Sequence, residues 1–120
     1  MKVIKESNFE PDNLLNHVEE HKKQYLYDSR FRNVKTENQF NSLYNSIGDK
    51  LSRIKVGSSL SDNRFVGYID KKNRYIKYDR KYQDFVVYSG KFTITLHKKT
   101  YQQYLNIRRR DFKSEMPYNK

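Results

Sequence analysis

From Leu14 to Leu51 apolar residues recur at three- and four-residue spacings, and from Phe65 onward they recur at every second position. These two periods predict helices followed by strands. Leu14, Val18, His21 and Tyr25 form one stripe, which predicts a first helix over about residues 12–25 with Pro11 just ahead of it. Residues 27–35 are polar and irregular. Thr36 followed three residues later by Gln39 has the spacing of a capping box, and Phe40, Leu43, Tyr44, Ile47 and Leu51 continue as the stripe of a second helix. Gly57-Ser58-Ser59 and Asp62-Asn63 mark where the helical half ends.

Four strands are expected beyond that loop: 65–70, 74–79, 84–88 and 92–97. Their connections, Lys71-Lys72-Asn73, residues 80–83 and Ser89-Gly90, are short enough to require an antiparallel meander. In the last strand Phe92, Ile94 and Leu96 are expected on one face, with Thr93, Thr95 and His97 on the other. The segment 100–112 carries Tyr101, Tyr104 and Leu105 at helical spacing and includes Arg108-Arg109-Arg110. The expected fold is α+β: two N-terminal helices packed on a twisted antiparallel sheet of four to five strands, with a C-terminal helix or basic tail. At 120 residues this is one domain, with a helical half at about 12–52, a sheet half at about 64–98 and a tail at about 100–120.

Composition sharpens this outline. Only 35% of the residues are hydrophobic, so the core must lean on eleven tyrosines and seven phenylalanines. The absence of cysteine excludes disulfides and thiolate zinc sites. No run approaches the ~20 apolar residues of a membrane span, and residues 1–9 lack the apolar core of a signal peptide. A cytoplasmic protein, or a toxin domain delivered into a target cytoplasm, is the expectation. The charge of +11 is the electrostatic footprint of a nucleic-acid binder, although an acidic protein or an anionic surface would answer to it too.

Two of the three histidines, His17 and His21, lie one helical turn apart, and His21 falls on the packed stripe. A histidine at the margin of a core suits proton transfer. RNA cleavage without a metal or other cofactor needs a base for the 2′-hydroxyl, an acid for the leaving 5′-oxygen and donors for the phosphorane. His21 fits the first or second role, Thr95 and Thr93 the third, and His97 is a second proton-transfer candidate. His17, Lys22, Lys23, Arg74, Lys77, Arg80, Lys98, Arg108, Arg109 and Arg110 are candidate nucleic-acid contacts. Plain packing accounts equally for a helix histidine beside Tyr25, and threonines are common on exposed strand faces. His17-Val18-Glu19-Glu20-His21 also matches the inverted zinc-protease pattern, a five-residue signal with nothing else in the chain to support it.

Three stretches, residues 15–25, 36–40 and the strand series 74–79, 84–88 and 90–98, together resemble colicin D-like and contact-dependent-inhibition tRNase toxins of the barnase/EndoU/colicin/RelE nuclease group. By that resemblance His21 matches the catalytic histidine and Thr95 the active-site hydroxyl, with Thr93 the alternative register. The chain departs from the pattern at Glu20 and Lys22, where the family often has lysine and glycine. The resemblance implies a monomeric, metal-independent endoribonuclease that cleaves tRNA to a 2′,3′-cyclic phosphate and is held in check by an acidic immunity protein. The alternative is a non-catalytic nucleic-acid-binding or interaction protein of a phage or mobile element.

Overall fold

Thr36 opens a helix as its spacing predicts. Its hydroxyl accepts from the Gln39 N–H at 3.1 Å, and the Gln39 side chain accepts from the Thr36 N–H at 3.2 Å. In the computed structural model, which describes residues 23–54, 56, 64–90 and 92–116, this helix is α1 (Glu37–Arg53). A 3-10 turn (Ser29–Phe31) precedes it. Then come β1 (Phe65–Asp70), β2 (Tyr75–Asp79), β3 (Asp84–Ser89), β4 (Phe92–Lys98), α2 (Tyr101–Asp111) and β5 (Phe112–Ser114). Of the expected first helix only residues 23–25 are described, and these are helical.

The strands pair in the order β4-β3-β2-β1-β5, every neighbour antiparallel. The meander of β1 to β4 is as expected. The fifth strand is β5, which follows α2 directly and pairs Ser114 with Ile69 and Phe112 with Asp70. The α2 segment is the C-terminal helix rather than a loose tail, and Thr100 caps it through a second box with Gln103.

The two helices lie on opposite faces of the sheet. Phe40, Tyr44, Ile47 and Leu51 of α1 pack with Tyr25 and Phe31 against Val86 and Leu96. On the other face Tyr104 of α2 packs against Tyr68, Ile76, Tyr78, Phe85 and Val87. Aromatic rings fill the space that the scarce aliphatics leave open. Tyr78 and Tyr104 stack at 4.8 Å, and Tyr25 meets Tyr44 edge-on at 5.4 Å.

A bulge in the β3–β4 pairing resets one strand's alternation. Val87 pairs with Thr95, but Tyr88 pairs with Thr93, which leaves Ile94 as the extra residue. Thr93 therefore turns to the α1 face with Leu96, and Ile94 joins Thr95 and His97 on the α2 face. The expected single row of Thr93, Thr95 and His97 is corrected accordingly.

Candidate active site and nucleic-acid interface

On the α2 face, Thr95 and His97 are two positions apart in β4 and so lie side by side, with Thr95 Oγ1 3.1 Å from His97 Nδ1. The imidazole also rests on Phe85, its cross-strand partner, with ring centres 5.3 Å apart. Two contacts thus fix the ring's orientation, which a proton-transfer group requires. Lys99, just past the strand, places its Nζ 5.4 Å from the centre of the same Phe85 ring. Burial pushes the Lys99 ammonium below its ordinary pKa. Farther along, the Arg80 guanidinium lies 3.9 Å over the ring of Tyr101, the first residue of α2. Hydroxyl, imidazole, ammonium and a guanidinium–tyrosine pair therefore border one end of this face.

Thr93 belongs elsewhere. It is 1% exposed on the α1 face, and its hydroxyl has no hydrogen-bond partner among the described residues. The bulge that moved it removes it from the candidate hydroxyls. Lys77 is likewise internal. It is buried, and its Nζ donates to the Ser52 carbonyl at 2.7 Å and to the Ile54 carbonyl. This satisfies carbonyls left open where α1 ends and sets a positive charge at the negative end of the helix. Burial pulls the Lys77 pKa down to about 8. It holds the fold rather than offering a surface contact.

Lys98 is the third correction. It lies on the α1 face, where its ammonium pairs with Asp28, stands 3.7 Å from Asp84 and donates to the Tyr82 carbonyl at 2.6 Å. A network surrounds it that sequence inspection missed. Asp79 and Asp84 are direct cross-strand partners, an arrangement that is repulsive unless each is neutralised. Arg64 grips Asp79 with two bonds of 2.8 Å. Arg30 reaches Asp84 at 2.8 Å and Asp28 at 2.7 Å while lying 3.9 Å over the ring of Tyr82. The Tyr25 hydroxyl donates to Asp84 at 3.2 Å. Burial raises Asp84 against the pull of Arg30 and Lys98. Burial also acts upward on Asp28, but hydrogen bonds from Arg30 and Lys98 prevail and hold it well below the usual carboxylate range. A half-open cavity of about 320 Å³ lies between this network and the apolar side of α1, with Leu43, Ile47 and Lys50 across from Tyr82 and Arg64.

The remaining basic candidates sit nearer the surface. Arg74 pairs with Asp70 at 2.9 Å, and Arg108 pairs with Glu115 at 3.1 Å above Phe112. Arg109 and Arg110 are exposed, as is Lys23. His17, His21 and Lys22, and with them the inverted zinc-protease pattern, lie outside the described residues. The structure therefore brings together Thr95, His97 and Arg80 from the candidates, and adds Lys99 and Tyr101. The only sequence trace of Lys99 was its place two residues after His97 at the end of the strand.

No family model, curated protein or solved structure matches this chain.

Proposed function

We propose that this protein is a metal-independent endoribonuclease of the delivered-toxin kind, acting on tRNA, with its chemistry on the α2 face of the sheet. The observation that carries the reading is the His97 imidazole, held between the Thr95 hydroxyl and the Phe85 ring and flanked by Lys99. Cleavage needs a proton taken from the 2′-hydroxyl and one given to the departing 5′-oxygen. His97 performs one of these transfers, and His21, by its resemblance to the family's catalytic histidine, the other. Attack of the 2′-oxygen closes the 2′,3′-cyclic phosphate and breaks the P–O5′ bond. Thr95 orients the imidazole, and Lys99 offsets the charge gathering on the phosphorane. Arg80, held over Tyr101, offers a cation whose guanidinium plane can stack on an unpaired base.

The same reading keeps the expected first helix over about residues 12–25, whose described end meets the edge strand β4 where the Gln24 side chain accepts from the Lys98 N–H at 3.1 Å, and assigns the basic surface an acidic immunity protein as inhibitor. Opposite charge would speed that encounter and set its register.

The test is incubation of the purified chain with total tRNA in EDTA, beside His97→Ala, Thr95→Val and His21→Ala. Discrete fragments ending in cyclic phosphate are expected from the parent chain, with His97→Ala slower by about 100-fold or more. Intact tRNA in every lane, with the chain folded, would leave the non-catalytic nucleic-acid-binding reading.

A further inference from the structure

We propose that the end of the sheet bearing the β1–β2 turn is a second anion-binding surface, and that it takes the phosphodiester backbone of a double-helical RNA arm. The proposal rests on the nucleic-acid reading above and extends it to residues that reading did not use. Two segments far apart in sequence meet here: Lys71-Lys72 in the turn, and the stretch with Arg109-Arg110 at the end of α2 and Lys113 in β5. The Lys71 N–H donates to the Asp111 carbonyl at 2.9 Å, and the Lys113 ammonium bonds the Asn73 side chain. Pairing of β5 with β1 holds the two segments in register.

All five of these cations are exposed, and Arg74 stands beside them. Among the described residues near them, Asp70 pairs with Arg74, Asp111 with Arg110 and Glu115 with Arg108. Lys71 and Lys72 have no ion-pair partner among the described residues.

The turn that presents these lysines is well braced. The Asp70 carboxylate is 2% exposed and accepts from the backbone N–H groups of Lys72 at 3.0 Å and Arg74 at 2.9 Å. Asn73 supplies the left-handed residue, with φ of 64°. Preset cations lose less freedom on binding than cations on a loose tail.

The chemistry of the surface selects backbone over bases. On the α2 side of this end Tyr68 is buried and Phe112 lies under Arg108, and on the α1 side Tyr75 and Tyr88 stack on each other at 5.3 Å. Charge without a stacking platform reads phosphates, which position a nucleic acid but carry no sequence. The Thr95–His97 end carries instead the hydroxyl and imidazole of the proposed chemistry. The eleven residues of α2 separate the two ends by roughly 16 Å at ~1.5 Å per residue. A substrate using both surfaces would lay a helical arm on the turn and present an unpaired segment to His97.

The test compares a stem–loop RNA with an unpaired hexanucleotide of the loop sequence, measuring binding by fluorescence anisotropy across a salt series. The variants are Lys71→Ala/Lys72→Ala/Lys113→Ala and a control, Arg32→Ala/Lys35→Ala, that removes exposed charge elsewhere. The triple variant is expected to bind the stem–loop at least tenfold more weakly and the hexanucleotide within twofold of the parent. Its log–log salt slope for the stem–loop should be shallower by about two to three, near 0.9 for each phosphate that is no longer neutralised. The control should leave both within twofold. An unchanged slope, or equal weakening for the two RNAs, overturns the second surface and leaves the proposed function standing. A parent chain that binds neither RNA overturns both.

Discussion

The two faces of the sheet use basic residues in different ways. On the α1 face Arg30, Arg64, Lys77 and Lys98 are turned inward, onto Asp28, Asp79, Asp84 and the last carbonyls of α1. On the α2 face and at the turn, Arg80, Lys99, Lys71, Lys72 and Lys113 border aromatic rings or open surface. A net charge of +11 thus overstates how evenly cations are offered to a partner. The inward set is tied to folding, and the outward set lies where a partner can reach it.

The difference can be broken most severely at Asp84. Replacing it with Ala leaves Tyr25 without its acceptor and Arg30 and Lys98 with one carboxylate fewer. We expect a loss of about 3 kcal/mol, in the range for breaking a buried pair from one side, read from urea denaturation. Asp84→Asn keeps an acceptor for Tyr25 and Arg30 and should lose clearly less. Equal losses would mean that the negative charge, and not the acceptor or the packing, holds this end of the sheet.

Next in size is Gly67→Ala. A Cβ at Gly67 would stand 2.4 Å from the Ile76 carbonyl oxygen, so β1 and β2 must part to admit it. Overpacking of this kind costs about 1–3 kcal/mol, and the same denaturation series checks it. Thr95→Val and His97→Ala, on the other face, should each change stability by less than about 1 kcal/mol while removing cleavage. A large stability loss at His97 would recast it as a packing residue.

The pH profile probes the inward set more gently. Lys77 has a folded pKa of about 8 against an ordinary 10.5, so between these values the unfolded chain binds more protons. Stability should therefore rise as the pH is raised from about 8 to 10.5, and Lys77→Met should flatten that rise. Asp28 gives a slope of the same sign in the acid range. Its depressed carboxyl supplies stability above the ordinary carboxylate pKa, and this is lost as the pH falls below it. The smallest effect is expected at Gln83, a non-glycine residue with φ of 62°. Gln83→Gly should change stability by no more than about 0.5 kcal/mol, in the stabilising direction, again read from denaturation.

Much of the secondary structure was legible because its signals are local. The Thr36–Gln39 box, the α1 stripe, the period of two and the turn at Lys71-Lys72-Asn73 all act within a few residues. The site was legible only in part. Thr95 and His97 are two apart on one strand, so their proximity follows from the pleat. Thr93 shows the limit of that rule, since one extra residue in a ladder reverses alternation, and whether a ladder bulges depends on both strands.

The sequence by itself determined the class of fold, the antiparallel meander, the helix starts and an excess of positive charge. Each rests on periodicity, capping chemistry or composition, which neighbouring residues carry unaided. Only the tertiary structure decided which face each helix covers, that residues 112–114 close the sheet as its fifth strand, and which basic residues are neutralised inside. Those outcomes depend on groups far apart in the chain, Lys98 with Asp28 and Lys113 with Asn73 among them. Burial makes an unpaired charge costly, so the partner a lysine meets after folding decides whether it serves the fold or faces a ligand.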